Sequence, residues 1–211
     1  ASRAFTFFTI ILAALTIAGI LFAPQIVEIT APGFANIPNK LPIAISLTRW
    51  MFPFLFFICL VALGMGILNS LKHFAAPALS PVWFNLSIIG STIFLIPFFK
   101  EAVYVLAFGV VFGGVLQFLY QLPYLKRYDM LPWPDFNFND PAIKKIVFLM
   151  LPAALAAGVD QINILIVNRF ASHLKDGSIS YLYYADRIVE LPMGVFVIAV
   201  ATAVLPSMSE Y

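Results

Sequence analysis

The chain has 211 residues, of which 62% are hydrophobic and 10% charged, whereas soluble domains carry about 25% charged residues. This excludes a water-soluble globular domain, and the net charge of +2 leaves no basic surface for a nucleic acid. Cys59 is the single cysteine, which excludes a disulfide within the chain and a cysteine-based metal site, so we expect neither metal nor cofactor.

Six apolar segments follow one another along the chain. At about 1.5 Å per residue, each is long enough to cross a bilayer as a helix. The segments are predicted at about 5–23, 51–69, 79–98, 102–122, 146–167 and 178–205. Strands of a β-barrel would be about half this length and would alternate in polarity, which these segments do not. The sequence therefore predicts an all-α polytopic membrane protein.

The loop charges predict how these segments are oriented. One side of the membrane would hold Arg3, Lys72, Lys126, Arg127, Lys144 and Lys145, and the other Lys40, Arg49, Lys100 and Lys175. Because cytoplasmic loops are richer in lysine and arginine, the first set is predicted to be cytoplasmic. The first segment then runs outward and the sixth runs inward.

Residues 126–145 are rich in proline and polar residues and are flanked by basic ones, which is typical of a linker. We therefore expect two parts, residues 1–125 with four spans and 146–211 with two, joined by a cytoplasmic linker at 126–145. Asp140 followed by Pro141 predicts a capped start for the fifth helix. Residues 30–35 predict a turn-rich interfacial segment. The chain is expected to be a part of a longer protein.

Two sets of residues inside the spans bear on packing. The first set is the prolines Pro53, Pro81, Pro97, Pro152 and Pro192. They can break or bend their helices around a cavity, as in transporters, or they can simply bend the helices for packing. Pro192, together with Gly194, is the candidate hinge. Gly109 and Gly113 form a small-xxx-small motif, as do Ala153 with Ala157 and Ala154 with Gly158. Such motifs serve helix packing within one subunit or a dimer interface.

The sixth segment carries three charges, Asp186, Arg187 and Glu190, in an otherwise apolar stretch. Ionised groups in hydrocarbon are costly, which favours a polar cavity beside this helix. Arg187 lies about 13 Å along the helix from its start at Ser178, well inside a core about 30 Å thick. Arg187 can be held by Glu190 and offset both carboxylates. The alternative is a structural ion pair that fixes helix packing.

An arginine at this depth is suited to an anionic phosphate substrate, because its planar donor fork matches phosphate oxygens and stays charged. The carboxylates could instead bind a coupling cation. The fifth segment adds Asp160, Gln161 and Asn163, with Asn168 further along. Polar groups on more than one helix face indicate a cavity lining, with interhelical hydrogen bonds as the alternative. No nucleophile–base pair or phosphate-binding loop is present, so an enzyme is not expected.

Several short motifs, in this order and spacing, resemble the MurJ (MviN) family of lipid II flippases. The resemblance spans nearly the whole chain and is strongest in the sixth segment. It is carried by Thr30-Ala31-Pro32-Gly33-Phe34, Phe52-Pro53-Phe54, Gly113-Gly114-Val115-Leu116-Gln117, Tyr120-Gln121-Leu122-Pro123, Pro152-Ala153 with Gln161-Ile162, Tyr183-Tyr184-Ala185-Asp186-Arg187, Glu190-Leu191-Pro192, Gly194-Val195 and Leu205-Pro206-Ser207.

The resemblance implies a fourteen-helix, two-lobe exporter fold of the multidrug/oligosaccharidyl-lipid/polysaccharide superfamily, with this chain as helices three to eight. It implies that Arg187 faces the central cavity and engages the substrate's pyrophosphate, with Glu190 nearby. The family's other cavity arginines lie on helices one and two, outside this sequence. The resemblance implies no role for Asp160, which stays a candidate from its residue type alone.

The function expected from this resemblance is transport of undecaprenyl-linked peptidoglycan precursor, lipid II, from the inner to the outer leaflet of the bacterial inner membrane by alternating access. Its partners would be lipid II or a related polyprenyl-pyrophosphate lipid, membrane lipids, and a monovalent cation or proton that biases the cycle. One alternative is a cation-coupled multidrug antiporter of the same superfamily, in which Asp160, Asp186 and Glu190 bind protons or sodium. Another is a non-transporting scaffold for cell-wall enzymes.

Overall fold

The computed structural model describes residues 2–131, 135 and 141–192, apart from the side chains of residues 141–144, 147, 160 and 191. The longer helices are α1 (Ser2–Leu21), α2 (Ala23–Thr30), α3 (Lys40–Ser70), α4 (Ala75–Leu95), α5 (Ala102–Arg127), α6 (Pro141–Ala171) and α7 (Ser178–Pro192). Two 3-10 helices span Pro32–Asn36 and Ile96–Phe98. The predicted all-α class is confirmed, since none of the described residues lies in a strand.

Five described helices are long and apolar enough to cross a membrane: α1, α3, α4 with its 3-10 extension, α5 and α6. They match the first five predicted spans, which confirms a polytopic membrane protein. Helix α7 begins at Ser178 as predicted, and residues 193–205 of the sixth span lie outside the described residues. Helix α6 begins at Pro141 as expected; its proposed cap, Asp140, is likewise not described.

The predicted start of the second span was wrong, because α3 begins at Lys40 rather than near residue 51. Its first turns contain polar residues, which lower the hydropathy without breaking the helix. The Thr48 hydroxyl, for example, donates to the Ala44 carbonyl at 2.8 Å, so the polar group is satisfied within α3. The segment at 30–35 was also more ordered than predicted: α2 precedes it and a 3-10 helix occupies Pro32–Asn36.

The prolines inside the predicted spans do not all have the same effect. The helices are continuous through Pro53, Pro81 and Pro152, so these residues do not break them. Pro97 lies in the 3-10 helix that follows α4, where its missing N–H helps to end the α-helix. Pro192 is the last described residue of α7, and Gly194 of the candidate hinge lies outside the described residues.

Helices α1 to α5 form one packed unit, in which α5 lies along α4 and α3, and α1 lies along α3. A Cβ on Gly113 would lie 2.8 Å from the Phe84 ring, which shows how closely α4 and α5 approach. Ser87 also donates to the Gly109 carbonyl at 2.8 Å. The Gly109–Gly113 motif therefore packs within the chain. The core of the unit consists of Phe5, Leu12, Leu60, Leu68, Ala76 and Leu125.

Helices α6 and α7 have a different environment. Between residues 148 and 167 of α6, every described residue except Gly158 is exposed, and no atom among the described residues lies within 4 Å of a Cβ built on Gly158. The small-residue motif of α6 therefore packs against nothing in this part of the chain. Helix α6 meets α7 beside it and α2 near its last turn.

Candidate functional site

Arg187 of α7 is held from two sides by its own helix. Its Nη1 lies 2.8 Å from Glu190 Oε2, three residues later, and its Nε–H donates to the Tyr183 hydroxyl at 3.2 Å, four residues earlier. The guanidinium carbon lies 5.2 Å from the centre of the Tyr183 ring. Positions three and four apart share a helix face, which is why these side chains meet. The structure thus contains the predicted Arg187–Glu190 pair.

A cavity of about 580 Å³ lies between α6 and α7. The Arg187 side chain is 61% exposed and that of Glu190 63%, so the pair faces open space rather than a packed core. The polar residues that line the cavity are Asn163 and Asn168 of α6, and Ser180, Tyr183, Tyr184, Asp186, Arg187 and Glu190 of α7.

The structure brings together four of the six predicted site residues: Asn163, Asp186, Arg187 and Glu190. Gln161 is exposed and does not line this cavity. Asp160 lies in α6 one turn before Ile164, and its side chain is not described. Four polar lining residues were absent from the predicted set: Asn168, Ser180, Tyr183 and Tyr184. The four-residue spacing of Tyr183 and Arg187 was nevertheless visible in the sequence.

The donors of Arg187 decide what this site can bind. A guanidinium has five N–H groups in a fixed fork. Tyr183 accepts one and Glu190 accepts another, so three have no partner among the described residues. These three remain for an anionic group in the cavity. With both carboxylates ionised, however, Asp186, Arg187 and Glu190 together carry one net negative charge, so these residues alone do not make a cationic site.

A second polar cluster joins α6 to the first unit at the end predicted to lie outside the cell. We call it the outer contact; it comprises Ile29, Gly33, Arg169 and Ser172, together with the ion pair of Lys40 and Asp176. The Gly33 N–H donates to the Ser172 hydroxyl at 3.1 Å, and this hydroxyl donates to the Arg169 carbonyl at 2.7 Å. Arg169 Nη1 donates to the Ile29 carbonyl at 2.9 Å.

Gly33 is what allows the two backbones to approach. A Cβ at this position would lie 1.9 Å from the Ser172 carbonyl oxygen, which no side chain can tolerate. Ser172 is only 4% exposed, so its hydrogen bonds are protected from water. The bond from Arg169 to the Ile29 carbonyl was not predicted from the sequence. The outer contact is therefore a close, directional fit and not a loose apposition.

The ion pair completes the outer contact at its exposed edge. Lys40, at the start of α3, pairs with Asp176 in the turn between α6 and α7. Lys40 Nζ also lies 4.6 Å from the centre of the Phe34 ring. The hydrogen bond from Lys40 and its positive charge lower the pKa of Asp176, and the Gly177 N–H adds to this effect.

The opposite end, predicted to face the cytoplasm, is arranged differently. There Ile146 of α6 shares the lining of a cavity of about 310 Å³ with Ala4, Leu63 and Ile67 of the first unit. Between the two ends, the described residues of α6 are exposed along most of their length.

The chain is similar in sequence to known proteins of one family. The model of the family described as lipid II flippase MurJ matches residues 1–211. A protein of Burkholderia cenocepacia named lipid II flippase MurJ is 40% identical over 203 residues, covering 94% of this chain and 39% of the relative. A probable lipid II flippase MurJ of Buchnera aphidicola is 42% identical over 204 residues, covering 97% of this chain and 40% of the relative.

A third relative, the probable lipid II flippase MurJ of Vibrio cholerae, is 43% identical over 172 residues, covering 82% of this chain and 33% of that protein. The chain thus spans about two fifths or less of the length of these relatives. The match nevertheless runs along the whole chain, including both units and the Arg187 cavity. The chain therefore belongs to the lipid II flippase MurJ family.

Proposed function

We propose that the full-length protein is a flippase of the bacterial inner membrane. It carries lipid II, an undecaprenyl-pyrophosphate-linked peptidoglycan precursor, from the inner to the outer leaflet. The observation that carries this proposal is the exposed Arg187 guanidinium, which keeps three N–H groups for an anion in the cavity between α6 and α7. These donors bind pyrophosphate oxygens, and the process moves the lipid without covalent chemistry.

The two ends of the molecule support alternating access. The outer contact joins α6 to the first unit on one side, while on the other side Ile146 of α6 and the first unit line a cavity of about 310 Å³. While the outer contact is closed, the lipid II headgroup enters from the cytoplasmic side and meets Arg187. Release to the other leaflet requires the outer contact to open.

The outer contact is weak enough to open during a transport cycle. A single hydrogen bond in a protein contributes about 0.5–1.5 kcal/mol net, and an exposed ion pair about 0–1 kcal/mol. The contact consists of a few such interactions rather than a large apolar interface. A modest difference in the affinity of the cargo for the two states is sufficient to shift the population between them.

The net negative charge of Asp186, Arg187 and Glu190 sets a requirement for this function. A pyrophosphate is itself strongly negative, so further cations must come from parts of the protein outside this chain. The same charge favours the second candidate, a cation-coupled antiporter, in which Asp160, Asp186 and Glu190 bind protons or a monovalent cation. In the flippase, these carboxylates would keep the anion from being trapped or couple its movement to a cation.

The deciding experiment replaces the arginine and the carboxylates separately in the full-length protein. Arg187→Ala should abolish flipping, measured as lipid II that becomes accessible to an external probe in cells depleted of their own flippase. The protein should still insert at normal levels. Arg49→Ala, which removes the same charge from the outer part of α3, should change flipping by less than about twofold, since an exposed charge contributes little.

The same variants test the alternatives. If Arg187→Ala flips lipid II at the wild-type rate, the proposed role of Arg187 is wrong. If Asp186→Asn and Glu190→Gln abolish proton- or sodium-driven drug efflux while Arg187→Ala has no effect, the protein is an antiporter. Tolerance of every charge change in α7, with normal cell-wall assembly, would instead indicate a scaffold.

A further inference from the structure

Tyr183 contacts Arg187 through both its hydroxyl group and its aromatic ring. Its hydroxyl oxygen accepts the Nε–H of Arg187 at 3.2 Å, and its ring lies 5.2 Å from the guanidinium carbon. The ring of Tyr184 lies against that of Tyr183, with centroids 5.9 Å apart and an interplanar angle of 69°. All three side chains line the same cavity.

These contacts fix the plane of the guanidinium. Glu190 alone, bound at Nη1, would leave the long arginine side chain free to turn about that single bond. The hydrogen bond from Nε to Tyr183 fixes a second point of the guanidinium, and the Tyr183 ring limits movement of the guanidinium out of its plane. Because a planar donor fork recognises phosphate by its direction as well as its charge, orientation matters for affinity. An arginine that is already oriented loses less conformational freedom when it binds.

The Tyr183 hydroxyl also keeps one donor of its own. A phenol can accept and donate at the same time, and here its oxygen accepts from Arg187. Its O–H has no acceptor among the described residues and lies beside the free N–H groups of Arg187. A phosphate oxygen that binds the guanidinium is therefore within reach of a second, neutral donor.

We propose that Tyr183 is a positioning residue for the cargo: it orients the Arg187 guanidinium toward the pyrophosphate and adds a hydroxyl donor beside it. This inference rests on the proposed flippase function. It concerns the geometry of the site and not its charge, because a phenol contributes a hydrogen-bond acceptor and a donor.

The test measures binding of undecaprenyl pyrophosphate to the purified full-length protein in detergent. Tyr183→Phe keeps the ring and removes the oxygen, and should weaken binding about 10-fold or more, the size expected for one hydrogen bond to a charged group. Tyr183→Leu removes both contacts and should weaken it further. Tyr181→Phe is the matched control, since Tyr181 lies on the same helix outside the cavity lining, and it should bind as the wild type does.

Coupling to Arg187 separates positioning from a general structural role. Lysine lacks the planar fork that Tyr183 orients, so in an Arg187→Lys background the further change Tyr183→Phe should weaken binding clearly less than in the wild-type background, because only the hydroxyl donor is then lost. An equal loss in both backgrounds would overturn the inference. Wild-type affinity in Tyr183→Phe would also overturn it while leaving the flippase proposal intact, whereas a wild-type protein that does not bind the lipid would contradict both.

Discussion

Helices α1 to α5 and the pair α6–α7 are held in place by different means. The first unit has its own apolar core, with Phe5, Leu68 and Leu125 almost fully buried. The second pair is exposed along most of α6 and meets the first unit through the small, polar outer contact. A packed core resists deformation, whereas a few hydrogen bonds at one end can break and re-form. We therefore expect the outer contact to break more readily than the core of the first unit.

The largest effect on the outer contact is expected from adding a side chain at Gly33. Gly33→Ala places a Cβ 1.9 Å from the Ser172 carbonyl oxygen, so the outer contact cannot form as it stands. We expect the outer ends to separate and flipping to fall about tenfold or more, because the outer contact can no longer hold this end closed. Spin labels at the exposed positions Ala35 and His173, in a cysteine-free full-length protein, should report longer distances.

Gly66→Ala provides the control for this change. Gly66 lies in α3 and no atom lies within 4 Å of a Cβ built there, so the same added methyl group meets nothing in the described part of the chain. Flipping and label distances should stay at wild-type values. An unchanged distance distribution in Gly33→Ala would show that the outer contact does not set the closed state.

A smaller effect, on stability and not on movement, is expected inside the first unit. Gly113→Ala places a Cβ 2.8 Å from the Phe84 ring and 3.3 Å from the Phe84 backbone. Overfilling a packed site typically costs about 1–3 kcal/mol, which should appear as a lower midpoint of reversible unfolding in detergent. Gly90→Ala in α4, with nothing within 4 Å of its Cβ, should not lower it. Equal midpoints for the two variants would contradict close packing of α4 on α5.

Ser172→Ala tests the polar part of the outer contact without adding volume. It leaves the Gly33 N–H without its acceptor, at a cost of about 1–3 kcal/mol for a buried group. The outer ends should therefore open in a larger fraction of molecules, measured with the same label pair at Ala35 and His173. Ser178→Ala, which removes only a local bond to the Lys175 carbonyl, should leave the fraction unchanged. If both variants behave alike, the Gly33 bond contributes nothing to closure.

The features predicted from the sequence share one property: their signal is local. Spans follow from continuous apolar length, and the Arg187–Glu190 pair follows from a three-residue spacing on one helix. The start of α3 was misplaced because hydropathy finds the apolar part of a helix and not its polar first turns. The division into 1–125, 126–145 and 146–211 stays a prediction.

No local sequence pattern predicted the outer contact. Gly33 and Ser172 are 139 residues apart, and neither a lone glycine in a turn nor a lone serine at a helix end indicates its partner. Their pairing depends on how two helical units are placed in space, which local patterns do not encode. For the same reason, the sequence indicated which polar residues α6 carries but not that Asn168 lines the cavity and Gln161 does not.

The smallest effect is expected from the exposed edge of the outer contact, where Lys40 pairs with Asp176. Lys40 lowers the pKa of Asp176 below its ordinary value of 3.8, so the pair stabilises the closed outer end only while Asp176 is ionised. This contribution is fully present above the ordinary value and is lost as the pH falls through the lowered pKa. The label distances should therefore not change between pH 5 and pH 8. Asp176→Asn should open the outer ends slightly, by an amount that does not depend on pH. If the wild-type label distances change near neutral pH, a group other than Asp176 must cause the change.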